Sequence, residues 1–244
     1  MTLVAKRETV GFELINVRTG FPSNPVPYKL KPNQAFKKGQ LVLMPDGGQA
    51  DAGLLVPATH DNGENKKVVG VMAEEIAQAD NPSAAIRTGL VYDNPANVYR
   101  ASITGHTDAS VASDPSNTTT RIYLASVTHA TNARGALVYF YEGPGSPALR
   151  LIKAAHTGNY FDIEEPLSAI PTVATKLIYF SDAALATDGT NIGATLVRTD
   201  ADGIKVTVST KGVANNGFLN IVGADPANLM VDVMIAASRT YMLA

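Results

Sequence analysis

A chain of 244 residues with 45% hydrophobic and 17% charged residues is long enough for one large β-domain or two smaller ones, and too apolar to be disordered. Its net charge of −2 gives no basic footprint for nucleic acid, and no apolar run approaches the ~18–20 residues that a membrane span needs. With no cysteine, disulfides, thiolate–zinc sites and thiol nucleophiles are excluded, which fits folding in a reducing cytoplasm.

Residues 1–34 read as an extended N-terminal arm. The opening from Met1 to Glu8 lacks the apolar centre of a secretion signal. Val10 to Val17 has the pattern of a strand, but Pro22, Pro25, Pro27 and Pro32 follow closely, removing ladder donors and holding the chain extended. Phe12, Leu14, Ile15, Val17, Phe21, Tyr28 and Leu30 are its apolar anchors. The arm is either a loop lying on its own domain or a strap over a neighbouring subunit. In the second case those seven residues are its contacts.

Residues 35–95 form a first β-domain. Short apolar runs (Leu41-Val42-Leu43, Leu54-Leu55-Val56, Val68-Val69-Gly70-Val71-Met72, Leu90-Val91-Tyr92) alternate with turn residues such as Asp46-Gly47-Gly48 and Asn62-Gly63. The Asn94-Pro95 pair marks the exit. Residues 96–244 form a second β-rich region with a sub-boundary near 182. Its strands are predicted at 121–127, 135–141, 149–153, 160–163 and 218–222. Gly203 to Ser209 alternates with Ile204, Val206 and Val208 on one face, and Leu229, Val231, Val233 and Ile235 share another. The tract Asp108 to Thr120, rich in Ser, Thr, Asp and Asn, reads as an exposed loop. Ala73 to Ala79 and Asp182 to Ala186 are short helix candidates, and the fold class is all-β.

Chemistry is sparse. His60, His106, His129 and His156 lack metal-ligand spacing and read as exposed loop histidines. Asp200-Ala201-Asp202-Gly203 opens like a calcium loop, but Lys205 and Lys211 stand where further oxygen ligands belong, so it reads as an Asp-Gly turn, as does Asp188-Gly189-Thr190-Asn191. Glu74-Glu75 and Glu164-Glu165 are adjacent pairs, which strand geometry points to opposite faces, so neither makes a catalytic dyad alone. Asn117-Thr118-Thr119 matches a glycosylation sequon that lacks a secretory context. No catalytic, cofactor or metal residue is assigned, and an enzyme is not expected.

The phrase order of residues 36–92 ("KKGQLVL", a Gly/Asp turn, "LLVPAT", "VVGVMAEE", "IRTGLVY") resembles the small β-domain of tailed-phage head decoration proteins. The phrase "VYFYEGPGSPALRLIKAAHTGNYFDIEEPLSAIP" is similar to a module of phage virion proteins. The resemblance implies a small antiparallel β-barrel or β-tulip-like domain, followed by a further β-barrel or β-sandwich. It also implies a capsid cement protein on the outer surface of the virion, assembled in the host cytoplasm. Its partners would be the major capsid protein and itself, as a homotrimer, with no nucleic acid, membrane or cofactor. The alternative is a phage tail, fibre or carbohydrate-recognition β-module. With Trp absent and aromatics at 7%, the core relies on aliphatic side chains, and oligomeric burial would add to it. Deleting residues 1–34 is expected to weaken capsid binding while leaving the β-domains folded.

Overall fold

The computed structural model describes residues 11–17, 23–45, 47–48, 50–58, 66–104, 108–125, 137–156, 159–179, 196–200, 202–207 and 219–235. Among them there are strands, turns and short 3-10 segments but no α-helix, so the fold is all-β. The strands in chain order are β1 (Glu13–Val17), β2 (Val26–Lys29), β3 (Leu41–Pro45), β4 (Val56–Pro57), β5 (Lys66–Met72), β6 (Thr88–Tyr92), β7 (Asn97–Thr104), β8 (Asp108–Ser110) and β9 (Arg121–Tyr123). They continue as β10 (Leu137–Glu142), β11 (Ala148–Ala155), β12 (Tyr160–Ile163), β13 (Lys176–Tyr179), β14 (Leu196–Thr199), β15 (Val206–Thr207), β16 (Leu219–Asp225) and β17 (Met230–Ile235).

Two compact units emerge. By their described residues, one is built on the stretch from Ile103 to Val197, and the other on residues 11–102, 198–206 and 219–235. These limits depart from the chain-order boundaries at 34/35 and 95/96. The reason is pairing: β17 lies antiparallel to β7, with Val231 opposite Ala101 and Asp232 opposite Arg100, so the C-terminal strands return to the N-terminal segment.

In the unit containing the N-terminal strands, one sheet has the order β2-β6-β5-β3-β4. It curls until Leu30 and Leu55 meet in a parallel bridge, where Lys31 N donates to Leu55 O at 3.0 Å and Leu55 N to Lys29 O at 2.8 Å. Its interior holds Leu30, Phe36, Val42, Met44, Leu55, Val69, Met72, Ile76 and Val91. The side-chain ends of Leu30, Met72 and Ile76 pack against Gly89, where a Cβ would lie 2.9 Å from Leu30 Cδ1, 3.0 Å from Met72 Cε and 3.1 Å from Ile76 Cδ1. The second sheet of this unit runs β1-β7-β15-β14-β16-β17, with a further β7–β17 pairing that brings its run of strands back on itself. Every residue of β3 is buried, which explains a run of apolar residues in place of strict alternation. Its start is tied within the unit, where Leu41 N donates to Gly203 O at 2.9 Å and Gln40 Nε2 to Asp202 O at 2.7 Å. In β17, Val231, Val233 and Ile235 are buried with Leu229 just before them, as the alternation predicts, but Met230 is buried as well.

In the unit built on Ile103–Val197, six strands run β8-β13-β10-β11-β12-β9. The first and last meet where Val111 bridges Leu124, flanked by Ala112 N to Tyr123 O at 2.7 Å and Ala125 N to Ser110 O at 2.9 Å. The result is a small barrel-like shell around Ile122, Val138, Phe140, Ile152, Phe161 and Leu177.

Several expectations change here. Asp108 to Thr120 is only in part the exposed loop expected: Asp108–Ser110 pairs with β13 and Val111 is buried, whereas 112–120 has no strand and exposes Ser113, Pro115, Ser116, Thr118 and Thr120. Asn117 is buried too, its Nδ2 donating to Ala112 O at 2.9 Å and its Oδ1 accepting from Tyr123 N at 2.8 Å. The polar side chains there serve local backbone groups, which is what makes such a tract look like an ordinary solvated loop. Ala73 to Ala79 is not a helix. Ile76 instead exchanges backbone bonds with Phe36 (2.9 and 2.8 Å), placing its side chain in the core, and a 3-10 turn follows at Gln78–Asp80. Asp182 to Ala186, the Asp188 turn and Val208 lie outside the described residues.

Candidate functional site

The apolar anchors of residues 1–34 split between interior and surface. Leu30 is fully buried in the curled sheet and Phe12 is 3% exposed, its N–H donating to Gly39 O at 2.8 Å. Both serve their own unit and are closed to a partner. Leu14 and Tyr28 are half-buried, and Tyr28 Oη donates to Asp93 Oδ2 at 2.7 Å. Ile15 is exposed. Val17 ends β1 opposite Asn97, and Phe21 lies outside the described residues. The segment is woven into the unit: β1 pairs with β7, and β2 pairs with β6. Pro27 is accommodated because β2 ends its sheet order, where a missing N–H does not interrupt a central ladder.

What this unit does offer is an apolar surface that the sequence did not single out. Leu90 on β6 is exposed and stands opposite exposed Pro27 on the outward face, and Ile86 in the preceding loop is exposed; Val26, also exposed, is paired with buried Val91 and so belongs to the other face of the sheet. The glutamate pair nearby is structural at one position, since Glu74 Oε1 accepts from Leu90 N at 2.9 Å while Glu75 is exposed.

A charged and aromatic cluster covers the outside of the other unit. Inward Ile122 and Phe161 place Arg121, Tyr123, Tyr160 and Asp162 outward, and register sets Tyr123 opposite Tyr160 and Arg121 opposite Asp162. Arg121 Nε and Nη2 donate to the two Asp162 oxygens at 2.8 and 3.1 Å. His156 Nε2 is 2.9 Å from Asp162 Oδ2. Tyr160 stacks on Tyr123 at 4.7 Å and on His156 at 4.4 Å, and the Arg121 guanidinium lies 4.9 Å from its centroid. The Arg121 bonds hold the Asp162 carboxyl below the ordinary carboxylate range, His156 acts in the same direction, and partial burial opposes both. His156 is therefore half-buried and paired, in contrast to the free loop histidine expected. His60, His106 and His129 lie outside the described residues.

Several other polar groups have structural partners. Arg100 forks onto Asp232 (2.7 and 2.9 Å) across β7 and β17, which raises the Arg100 pKa. Tyr99 is buried with its hydroxyl bonded to Tyr92 O at 2.9 Å, and burial pushes its pKa up. Asp200 Oδ1 accepts from Ile204 N and Lys205 N at 2.9 and 3.1 Å with Gly203 at φ +71°, the turn that the Asp-Gly reading predicts. The sequon side chain Asn117 already spends its amide on the backbone. Among the described residues no group of three or more His, Asp or Glu is placed to hold a metal ion.

Comparison with protein-family models, with curated proteins and with solved structures returns no match.

Proposed function

We propose that this chain is a structural virion protein that binds the outer surface of a phage capsid and stabilises it by bridging major capsid subunits, acting as a homo-oligomer, expected to be a trimer. The observation that carries the reading is that the described strands between Phe36 and Tyr92, where the phrase resemblance lies, form with β2 one curled sheet around an apolar core. Exposed Ile86 and the outward pair Pro27 and Leu90 supply apolar surface for a partner. The physical mechanism is distributed burial. An interface of ~2,000 Å² at ~25 cal/mol per Å² yields a large gross gain before association entropy is subtracted. An oligomer gripping several shell subunits makes each further contact intramolecular, so the shell opens only by breaking many contacts together.

A mass-spectrometric inventory of purified virions tests this. Copy number near that of the major shell protein supports decoration, whereas a handful of copies indicates a tail component and absence from virions removes the reading. A second reading, a carbohydrate-recognition module, draws on the Tyr123–Tyr160–His156 stack beside Arg121 and Asp162. Specific glycan-array binding without affinity for capsids would favour it.

A further inference from the structure

The outward row of rings on the unit built on Ile103–Val197 brings two tyrosines together. Tyr123 on β9 and Tyr160 on β12 stand directly opposite each other in the antiparallel pairing, and their rings stack with 4.7 Å between centroids and 25° between planes. A stack at that separation puts carbon atoms of the two rings in van der Waals contact. Both residues are held in place. Tyr123 N donates to Asn117 Oδ1 at 2.8 Å, and Tyr123 O accepts from Ala112 N at 2.7 Å. Tyr160 O accepts from His156 N at 3.1 Å, the His156 ring stacks on Tyr160 at 4.4 Å, and the Arg121 guanidinium lies 4.9 Å from the Tyr160 centroid. Because β11 and β9 flank β12, Tyr160 is the middle ring of the row.

Both tyrosines are half-buried, so they are fixed by their neighbours and still within reach of a small oxidant in solution. A phenol that loses one electron and its hydroxyl proton becomes a phenoxyl radical, whose unpaired electron is shared with the ring carbons ortho to the oxygen. Two such radicals in contact join through those carbons, Cε to Cε. The hydrogen on each joined carbon then moves as a proton to the oxygen of its own ring, which restores both phenols. One carbon–carbon bond is formed for the loss of two electrons and two protons. Contact beforehand makes the joining effectively unimolecular, which favours this pair over encounters between chains. The bond would lie beside the Val111–Leu124 bridge that closes the shell. In a chain without cysteine no disulfide can supply such a tie.

We infer that Tyr123 and Tyr160 form an oxidative cross-linking site, at which a one-electron oxidant joins the two rings and ties β9 covalently to β12. The inference does not depend on the capsid-binding reading. The test illuminates the purified full chain with ruthenium tris-bipyridine and persulfate, the persulfate taking up the two electrons and becoming sulfate. Trypsin cuts between the two positions, after Arg134, Arg150 and Lys153, so the link joins two peptides that are otherwise separate in mass spectrometry. The expected product is Tyr123 joined to Tyr160 within one chain, in a yield that does not fall as the protein is diluted. At equal oxidant dose the folded chain is expected to give about 10-fold more of this product than the chain in urea, where the rings are no longer held in contact. Y123F and Y160F keep a ring in the stack and the wild-type circular dichroism, but lack the hydroxyl proton and give none of it. The linked chain unfolds at higher urea concentration, because the tie restricts the unfolded chain as a disulfide does. A wild-type chain whose methionines oxidise at the same dose without that linked peptide overturns the inference. So does a link found only between chains, or one formed in equal yield from folded and urea-treated protein.

Discussion

Replacing Leu30 with Ala tests whether the proline-rich N-terminal segment is part of a folded unit. Leu30 is fully buried, it bridges Leu55, and its Cδ1 occupies the space left by Gly89. Removing three carbons from such a site forfeits about 0.8 kcal/mol of transfer free energy for each. A cavity between Leu55, Met72 and Ile76 adds to that, since the curled sheet cannot collapse onto a position closed by a backbone bridge. The expected loss is about 3 kcal/mol, within the range for buried Leu-to-Ala changes, or roughly 6–12 °C in Tm. Urea unfolding followed by tyrosine fluorescence and circular dichroism measures it, with Ile15→Ala as the companion because Ile15 is exposed and expected to change stability by less than about 0.5 kcal/mol. If the two variants unfold at the same urea concentration, Leu30 is not in a core and the description of the segment as part of the sheet fails.

Three further outcomes are expected. Gly143→Ala forces a Cβ to 2.5 Å from Ala174 O at φ +85° and should cost well over 2 kcal/mol, against about 1 kcal/mol for Gly48→Ala, which shares a positive φ but has open space around it; urea midpoints compare them. Asn117→Ala leaves the Tyr123 N–H without its acceptor inside the barrel-like unit and should cost about 2 kcal/mol, read by thermal melting and by faster amide exchange at Tyr123. Asp162→Asn bears on pH: the native carboxyl lies below its unfolded value of about 4, so the unfolded chain takes up its proton first as pH falls. The ionised pair thus stabilises above that pH and is lost as pH drops through the lower native value. Wild type should exceed Asp162→Asn in stability at pH 7, with the gap closing towards pH 3, and a gap constant across that range contradicts the pairing.

Strands whose side chains alternate, or whose β-branched and aromatic residues run together, are legible locally, and β3, β5, β10, β11, β12 and β17 fall where the pattern puts them. What is not legible is partnership across the chain. Pro27 argues against a strand until β2 is known to end its sheet, and only the bridge to Leu55 shows that the sheet curls. The short, polar β8 has no local signature, because it is held by pairing with β13 and by Val111 against Leu124. The outer cluster is equally hidden. Arg121 and Asp162 are forty-one positions apart and Arg100 and Asp232 one hundred and thirty-two, so their pairing follows from register alone. His156 looked free for the same reason, its partner Asp162 being invisible until β11 and β12 are laid side by side.

Register also changes what a deletion experiment can report. Read from the sequence, removing residues 1–34 detaches a strap and leaves the β-domains intact. The same cut takes away β1, which pairs with β7, and β2 with Leu30, which complete the curled sheet. A truncated chain that fails to bind capsids would therefore be reporting lost stability, with no information on contact. Binding has to be probed at side chains that the fold does not need, and Ile15, Ile86, Leu90, Ile170 and Val173 meet that condition because all five are exposed. Substituting them with Asp group by group, Ile86/Leu90 on one unit and Ile170/Val173 on the other, separates loss of adhesion from loss of structure. A chain that works by wide contact should lose binding at one of these groups while its melting temperature stays put. If every group can be changed without effect on head binding, adhesion through the described apolar surface is ruled out.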